Sequence, residues 1–317
     1  MQTPKTQKTL LIVDGHAVLY RAFHAFPDLT DPQGRQVNAV YGFARLVLKS
    51  ILDFQPEYVA VAFDHHSPTF RHEQFEQYKA HREAMPESLI SQIPLVKELV
   101  TILNIPQYEV AGFEADDLVG TVTKDAETQS KKGNVDLDRT IVLTGDSDLL
   151  QLVTDFTRVF IPKRGAFGKD KLYSIDDVIE KFGVKPSEIP QLKALTGDSS
   201  DNIPGVAGIG PKTARGLFEK IDTIDELYAL LEKSEKELGV SAKIANSLRE
   251  NKELAYMSLQ LAIINKQAPV SFDAAACKLR SYDKEAAIAF FEKFAFHSLL
   301  KLLPEDELEE GIQAALF

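Results

Sequence analysis

Three short apolar runs each end in an aspartate, and this repeated pattern constrains the fold more than any other feature of the chain. Runs rich in β-branched residues, separated by helical patterns, are typical of buried strands in a parallel sheet. Because ligands bind outside the carboxyl ends of such strands, the three carboxylates would gather at one edge and repel one another unless a cation neutralised them. The pattern therefore predicts a divalent-metal site. The runs and their aspartates are Leu10–Val13 with Asp14, Tyr58–Phe63 with Asp64, and Thr140–Gly145 with Asp146.

Length and composition indicate a soluble globular protein. The 317 residues are 44% hydrophobic and 26% charged, which suits one large domain or two smaller ones with ample core. A single cysteine, Cys277, excludes an intrachain disulfide and suits a reducing compartment. The apolar run after Met1–Thr9 is too short for a signal peptide, and no apolar stretch approaches the roughly 20 residues that span a bilayer. We therefore expect a cytoplasmic protein that binds no membrane.

The net charge of −11 argues against nucleic-acid binding, which usually depends on a basic surface. Two features weaken that objection. Bound cations would offset the acids of a metal cluster, and the acidic stretch 305–310 contributes charge at the end of the chain. A local basic patch can still bind phosphate, so the positions of the basic residues matter more than their sum.

The pattern of predicted secondary structure changes near residue 174. Before it, strands alternate with helical patterns; after it, short helical patterns follow one another. We predict an α/β portion over residues 1–173, a mostly helical portion over 174–303, and an acidic tail or linker over 304–317. The predicted helices are 38–54 with Asn38 as N-cap, 89–103, 114–131, 174–182, 187–195, 211–218, 223–231, 242–265 and 283–294.

Two compact acidic motifs add to the strand-end aspartates. Glu114–Asp117 would begin a helix, where acids complement the helix dipole, and Asp198–Asp201 lies in a Gly/Ser-rich turn, where acids cap helices and turns. Each motif alone is more easily explained as structural. Together they predict a site for Mg²⁺ or Mn²⁺, because oxygen ligands without His or Cys disfavour zinc, and so many acids fit two ions about 4 Å apart. The nine acids are Asp14, Asp64, Glu114, Asp116, Asp117, Asp146, Asp148, Asp198 and Asp201.

A glycine-rich turn precedes the helix predicted at Pro211. Glycines let a backbone approach closely, and exposed amides at a helix N-terminus bind phosphate. The pattern is typical of a helix–hairpin–helix element, which grips a nucleic-acid backbone without reading its sequence; the spacing of a P-loop is absent. A plain interhelical turn is the alternative. The candidate DNA-binding residues are Gly205, Gly208, Gly210, Lys212 and Thr213.

Residues 67–87 are polar and carry scattered aromatic and basic side chains, so we expect a mobile or arch-like segment rather than core. On a helix, Tyr78 and Arg82 would align, with Lys79 beside them. Basic groups next to an aromatic ring suit a single strand, through phosphate pairing and base stacking. The alternative is a solvated, charge-rich helix, and the position directly after Asp64 counts against it.

These motifs, in this order, resemble the 5′ nuclease (flap endonuclease) family, and within it the N-terminal 5′→3′ exonuclease domains of bacterial DNA polymerases I. The resemblance covers roughly residues 9–303. The combination of motifs is specific, although no single motif is. The matching segments are 11–16, 39–43, 63–64, 70–71, 78–82, 114–117, 144–149, 195–202 and 205–214.

The resemblance implies an α/β fold: a PIN-like core with a mostly parallel twisted sheet, a helical arch, and a C-terminal helical subdomain containing the helix–hairpin–helix. It implies a two-metal 5′→3′ exonuclease and flap endonuclease that cleaves branched DNA during replication and repair, including primer removal. The implied partners are 5′ flaps, nicked or gapped duplex and RNA primer–DNA, with a monomeric enzyme in the bacterial cytoplasm. It also implies K⁺ held by the backbone carbonyls of residues 205–210.

All nine family carboxylate positions are filled, so the resemblance implies roles for these acids, while their exact division between the two ions stays open. The acids expected around the ion that activates water are Asp14, Asp64, Glu114, Asp116 and Asp146. Those expected to hold or tune the second ion are Asp117, Asp148, Asp198 and Asp201. On the DNA side, Lys79 and Arg82 would neutralise the scissile phosphate, Tyr78 would stack on an unpaired base, Arg71 would contact a phosphate, and Lys212 and Thr213 would hold the downstream duplex.

Three other functions compete with this interpretation. A PIN-type ribonuclease would share the acids but typically lacks the hairpin and the arch. A non-catalytic structure-specific DNA-binding protein would not need every carboxylate position filled. A phosphatase or kinase-like enzyme acting on small substrates would leave the hairpin unexplained. The sequence also leaves open whether the chain acts alone or is the nuclease part of a polymerase.

Overall fold

A six-stranded sheet lies at the centre of the computed structural model, which describes residues 7–162, 169–279 and 282–304. The strand order is β3-β2-β1-β4-β5-β6. Every pair is parallel except β5 with β6, so the prediction of an α/β fold with a mostly parallel sheet is confirmed. The strands are β1 (Thr9–Asp14), β2 (Tyr58–Ala62), β3 (Gln107–Tyr108), β4 (Arg139–Leu143), β5 (Thr157–Ile161) and β6 (Lys171–Tyr173).

The register of the three central strands brings their carboxyl ends level. Val13 of β1 lies opposite Val61 of β2 on one side and Leu143 of β4 on the other. Side chains of β1 and β2 are buried along their whole length, as expected for strands covered on both faces. Because the strands end level, the aspartates that follow them lie at one edge of the sheet.

Helices cover both faces of the sheet and enclose two apolar clusters. On one face, Ile12 packs with Leu118; on the other, Val13 packs with Phe43 and Leu99. Alternate residues of β1 therefore point to opposite faces, as the pleat of a strand requires. The helices of this part are α1 (Gly15–Ala25), α2 (Asn38–Phe54), α3 (Phe70–Gln74), α4 (Glu87–Ile90), α5 (Ile93–Ile102) and α6 (Ala115–Lys131).

Short helices follow β6, as the change in the predicted secondary-structure pattern near residue 174 indicates. The cluster that contains Ile12 continues into them, so it also joins the sheet to the second half of the chain. The predicted division at residue 173 stays a prediction, and of the predicted tail only Pro304 is among the described residues. The helices are α7 (Ile175–Phe182), α8 (Ile189–Thr196), α9 (Pro211–Phe218), α10 (Ile224–Lys233), α11 (Glu235–Leu238), α12 (Ala242–Glu250), α13 (Lys252–Ala262), α14 (Ala274–Cys277) and α15 (Lys284–Lys293). Three 3-10 helices occupy Asp148–Leu152, Pro186–Glu188 and His297–Leu302.

Two long predicted helices are each divided in two. The prediction of one helix over 242–265 is wrong, because Asn251 ends α12 and begins α13 while its side-chain amide donates to the Ser247 carbonyl. The prediction over 89–103 is wrong for a different reason: Pro94 occupies the first turn of α5, where a proline is tolerated, and a separate turn precedes it. The predicted N-cap is also displaced by one residue, because Val37 caps α2 and Asn38 lies inside it. No helix among the residues described combines the length and apolar character needed to cross a bilayer.

Candidate metal and nucleic-acid site

Asp14 lies at the centre of the sheet edge and caps α1. Its Oδ1 accepts a hydrogen bond from the Ala17 amide at 3.1 Å, and its Oδ2 accepts one from the Thr144 hydroxyl at 2.8 Å. The side chain is buried, and burial together with the charges of Asp64 and Asp146 raises its pKa to about 7. The three strand-end aspartates therefore lie near enough to repel one another.

Asp64 connects β2 to the start of α6. Its Oδ1 accepts a hydrogen bond from the Ala115 amide at 2.7 Å, and its own amide donates to His16 Nδ1 at 2.9 Å. Burial lowers the pKa of His16, so the ring stays neutral and its Nδ1 can accept that bond. Asp146 is exposed, and its Oδ1 accepts a hydrogen bond from the Asp148 amide at 2.9 Å.

The first acidic motif begins α6, with Glu114 as N-cap and Asp117 completing a capping box. Asp117 is fully buried and forms a bidentate ion pair with Arg71, with nitrogen–oxygen distances of 2.7 and 2.8 Å. The Asn265 and Glu114 amides also donate to it, at 2.7 and 3.2 Å. All four acceptor positions of Asp117 are used in this arrangement, and the prediction that this side chain holds or tunes the second metal ion stays a prediction.

Asp116 differs from its neighbour because one of its oxygens has no partner. Oδ1 is buried and accepts no hydrogen bond. Burial, with the charges of Asp117 and Glu114, outweighs the favourable effect of Arg71 and raises the pKa of Asp116 well above its usual range. A buried carboxylate oxygen without a donor is costly, and a cation is the partner that such an oxygen lacks.

The second acidic motif is joined to the strand ends by a lysine that the sequence analysis missed. Lys193 on α8 contacts the carboxylate of Asp148 and lies 2.5 Å from Asp198 Oδ2. Burial and the charge of Asp146 raise the pKa of Asp148 to about 6, although Lys193 opposes the shift. A signal was present in the sequence, because Lys193 lies just over one helical turn before Asp198.

The segment that follows Asp64 is built differently from the prediction. Residues 75–82 form turns rather than a helix, and Lys79 has a left-handed backbone with φ of 55°. Tyr78 is only 3% exposed, and its hydroxyl donates to Glu114 and Asp201 at 3.2 and 3.3 Å. In this arrangement the ring is covered by the protein, and the base-stacking role of Tyr78 stays a prediction.

Arg71 is likewise buried and forms its ion pairs within the protein. It is 1% exposed and pairs with Asp117 and with Glu114 Oε2, the latter at 3.2 Å. Its remaining donors bond to the Leu261 and Ile263 carbonyls at 3.1 and 2.8 Å. All five of its donors are used within the protein in this arrangement, and a contact between Arg71 and DNA phosphate stays a prediction.

Lys79 and Arg82 form ion pairs with carboxylates for which the sequence predicts metal binding. Lys79 Nζ lies 2.9 Å from Glu114 Oε1 and 3.9 Å from Asp201 Oδ2. Arg82 Nη2 lies 2.5 Å from Asp201 Oδ1. Lys79 and Arg71 together hold the pKa of Glu114 below its usual value against the opposing effect of burial. These two basic side chains therefore act as counter-ions to the acids.

All nine predicted acids are brought into one network, but not into a preformed metal cage. Within the described ranges, no group of three or more His, Cys, Asp or Glu side chains stands close enough to hold a metal ion. The chemistry of the donors nevertheless fits a hard divalent cation: all are carboxylates, one buried oxygen lacks a partner, and the acids raise one another's pKa. Basic side chains supply the positive charge that the acids require in this arrangement.

The predicted hairpin connects α8 to α9. Gly205 has φ of +66°, and a Cβ on it would lie 2.7 Å from the Gly197 Cα, so only glycine allows the two backbones to touch. Gly208 has φ of +79°, and Gly210 precedes α9 without a side-chain cap. Both glycines and Lys212 are exposed, and Thr213 is partly so. The first amides of α9 are thus available to an anion.

Comparison with known proteins agrees with these features along most of the chain. The family described as 5′-3′ exonuclease, N-terminal resolvase-like domain, matches residues 9–183, and the 5′-3′ exonuclease C-terminal SAM fold matches residues 184–285. The chain belongs to the 5′-3′ exonuclease family. The predicted resemblance to 5′ nucleases is thereby confirmed.

Relatives of this family include longer proteins. DNA polymerase I of Bacillus subtilis (strain 168) is 40% identical over 303 residues, which are 96% of this chain and 33% of that protein. The thermostable DNA polymerase I of Thermus filiformis is 39% identical over 293 residues, with coverage of 92% and 33%. The chain therefore spans about one third of the length of the curated relatives that it matches.

Solved structures share the fold at lower identity. The flap endonuclease of bacteriophage T5, in a pseudo-enzyme-product complex with DNA and metal ions, is 20% identical, with a TM-score of 0.66 over 91% of this chain and all of that one. The catalytic core of Rad2 in complex with DNA substrate is 17% identical, with a TM-score of 0.60 over 94% of each chain. At these identities the likeness shows the fold alone.

Proposed function

We propose that the chain is a metal-dependent, structure-specific 5′ nuclease that hydrolyses phosphodiester bonds in branched DNA. The observation that carries the proposal is the network of ion pairs and mutual pKa effects that links the predicted carboxylates to one another and to basic side chains, with one buried Asp116 oxygen left without a hydrogen-bond partner. Family membership supports the reaction type, and the T5 flap endonuclease of the same fold is described with DNA and metal ions. The substrates we propose are 5′ flaps, nicked or gapped duplex and RNA primer–DNA, bound by a monomer.

We assign metal binding to the acids that have acceptor positions to spare. Divalent ions bound there, Mg²⁺ or Mn²⁺, would supply an activated water and charge stabilisation for the leaving oxygen. Asp117 would act by holding Arg71, and through it Glu114, in place. The acids proposed to bind directly are Asp14, Asp64, Glu114, Asp116, Asp146, Asp148, Asp198 and Asp201.

During the reaction, Lys79 and Arg82 would pair first with carboxylates and then with the scissile phosphate. In this structure they neutralise Glu114 and Asp201. Glu114 and Asp201 are among the acids that would hold divalent ions, and with these carboxylates so engaged Lys79 and Arg82 would be available to pair with the scissile phosphate and stabilise its developing negative charge.

This exchange predicts opposite effects of one substitution on metal binding and on cleavage. In Lys79→Gln we expect Mn²⁺ to bind more tightly, because no ammonium group has to be displaced from Glu114, while cleavage falls about a hundredfold because the phosphate loses a cation. Calorimetric titration measures the first effect and single-turnover cleavage the second. Lys278→Gln, which removes a surface pair with Glu57, is the control and should change neither. Weaker Mn²⁺ binding in Lys79→Gln would contradict the exchange.

The raised pKa values predict a pH-dependent metal affinity. Asp14 and Asp148, with pKa values of about 7 and about 6, must lose any bound proton before they can bind a cation. Below those values protons compete, so Mn²⁺ affinity should rise by about tenfold per pH unit for each proton released, and should level off above pH of about 7. Titrations in buffers of different ionisation enthalpy count the protons. An affinity that is flat between pH of about 5 and 7 would count against these assignments.

The hairpin would hold the duplex. Amides at the start of α9 and the ammonium group of Lys212 would bind successive phosphates, and backbone carbonyls of residues 205–210 would bind K⁺. Because these contacts are to the backbone, binding would depend on DNA shape rather than on sequence.

A gel of a 5′-labelled flap tests the proposed function directly. We expect cleavage near the junction with Mg²⁺ or Mn²⁺, and none with EDTA. An RNA hairpin offered in parallel should remain intact; its preferential cleavage would favour a PIN-type ribonuclease. Tight flap binding without cleavage at saturating metal would show a non-catalytic DNA-binding protein and would refute the proposal.

A further inference from the structure

A large cavity, with none of the nine acids in its lining, lies between α3, α6, α7 and the end of α13. Its volume is about 930 Å³, within the range of small-molecule sites. Phe70, Ile175 and Ile263 contribute to its wall. Arg71, buried next to Phe70, separates the cavity from the carboxylates, and its guanidinium carbon lies 4.7 Å from the Phe70 ring centre. The cavity is thus distinct from the proposed nuclease site.

Two lysines line this cavity without an ion-pair partner among the described residues. They differ in this from Lys79, Arg82 and Lys193, which pair with the acids of the proposed metal site. Neither Lys124 nor Lys266 has an ion pair or a side-chain hydrogen bond within the parts of the chain that the structure describes. The nearby Glu127 is paired with Lys131 at 2.7 Å, and Asp125 Oδ2 accepts hydrogen bonds from the Gln129 side chain and the Phe272 amide, at 3.0 and 2.9 Å.

Lys266 is held at the cavity by its packing. Its side chain is half-buried, and its Cγ would lie 3.4 Å from a Cβ placed on Gly120 of α6. Burial and the neighbouring charge of Lys124 lower the pKa of Lys266, and the charge of Glu127, which is paired with Lys131, opposes the shift only in part. An ammonium group confined beside a second one is unfavourable without a counter-ion in direct contact. Neither lysine has such a contact among the described residues.

The rest of the lining indicates which anion would fit. Gln74, Gln260 and Gln267 are exposed at the cavity and carry side-chain amides, which both donate and accept hydrogen bonds. Asp155 is an exposed acid at its edge. An apolar wall, amide groups and two ammonium groups together match a flat heteroaromatic ring that carries a phosphate.

We propose that this cavity binds a nucleotide phosphate, with the ammonium groups of Lys124 and Lys266 on the phosphate and the base against Phe70 and Ile263. The inference goes beyond the proposed nuclease function and does not depend on it, because no carboxylate of the metal network lines the cavity. The same chemistry could come from a free mononucleotide or from a nucleotide within a single DNA strand.

Binding measured without divalent metal tests the proposal, because EDTA removes cleavage and metal-dependent binding. Thymidine 5′-monophosphate and a short 5′-phosphorylated single strand are titrated separately into the whole chain, and inorganic phosphate serves as the third ligand. Lys266→Met and Lys124→Met remove the charge and keep an apolar stem. The control is Lys132→Met, an exposed lysine at the end of α6.

We expect at least one of the two nucleotide ligands to bind more tightly than inorganic phosphate, and each cavity substitution to weaken that binding by about tenfold. The ligand that binds identifies the source, and Lys132→Met should bind as the wild type does. Flap cleavage in the presence of Mg²⁺ should be unchanged in both cavity variants, which separates this site from the nuclease. The proposal is overturned if neither nucleotide ligand binds the wild type, or if both cavity variants bind as tightly as the wild type while melting at its temperature. Lys124 is exposed, so its variant remains informative should Lys266→Met fold poorly.

Discussion

Replacing Asp116 by alanine is expected to lower the rate of flap cleavage by about a thousandfold or more, or about 4 kcal/mol in transition-state stabilisation, while DNA binding remains measurable. The reason is the buried Oδ1 without a partner, which we assign to a catalytic cation. Removing it deletes a ligand but leaves the hairpin untouched. Single-turnover cleavage of a labelled flap measures the first quantity, and fluorescence anisotropy in Ca²⁺ or EDTA measures the second.

The same substitution should not weaken the fold. Burial and the negative charges of Asp117 and Glu114 disfavour the charged form of Asp116. Removing its carboxylate therefore relieves repulsion in the metal-free protein. Asp176→Ala, an exposed acid in the first turn of α7, is the matched control and should retain full activity. Normal cleavage by Asp116→Ala would remove the central assignment of the proposed mechanism.

Replacing Arg71 by methionine is expected to lower the free energy of unfolding by about 3–5 kcal/mol, the usual effect of removing one member of a buried ion pair. The substitution would leave Asp117 fully buried without its bidentate partner, and would leave the Leu261 and Ile263 carbonyls without their donor. Since domains are stable by only about 5–15 kcal/mol, the variant should be markedly easier to denature. Urea denaturation followed by circular dichroism measures the difference.

This measurement distinguishes the buried ion pair of Arg71 seen in the structure from the surface phosphate contact that the sequence predicts for it. A phosphate contact on the surface would reduce DNA affinity and leave stability unchanged. Lys49→Met, which removes an exposed pair with Asp53, is the control and should cost no more than about 0.5 kcal/mol. A change below about 1 kcal/mol in Arg71→Met, together with weaker DNA binding, would restore the surface assignment.

The position of the strand-end aspartates at one edge of the sheet could be predicted, because the sequence pattern that indicates it spans only a few residues. A buried strand followed by a polar residue is visible within a few positions, and the sheet order requires only that such strands lie side by side. The helix at 211–218 was predicted with both ends correct, because Pro211 and the glycines before it define its start. For the same reason the sequence predicts that the three strand-end aspartates lie close together.

The role of the segment after Asp64 could not be predicted, because its contacts are distant in sequence. Arg71 pairs with Asp117, 46 positions away, and donates to Leu261, 190 positions away. A polar, aromatic and basic composition indicates a surface unless the acids that neutralise it are known to be close. Lys193 was missed for a related reason, since its partner Asp148 lies on another element.

The touching backbones at Gly197 and Gly205 have a geometric consequence. The loop that carries Asp198 is closed by two backbone hydrogen bonds with Ile203, each of 2.8 Å, and the Val206 amide bonds back to the Leu195 carbonyl at 2.8 Å. Backbone contacts therefore hold the loop and the hairpin against each other. If the hairpin binds duplex phosphates as proposed, these contacts would fix the spacing between the bound duplex and Asp198, and with it the position of the cut relative to the duplex.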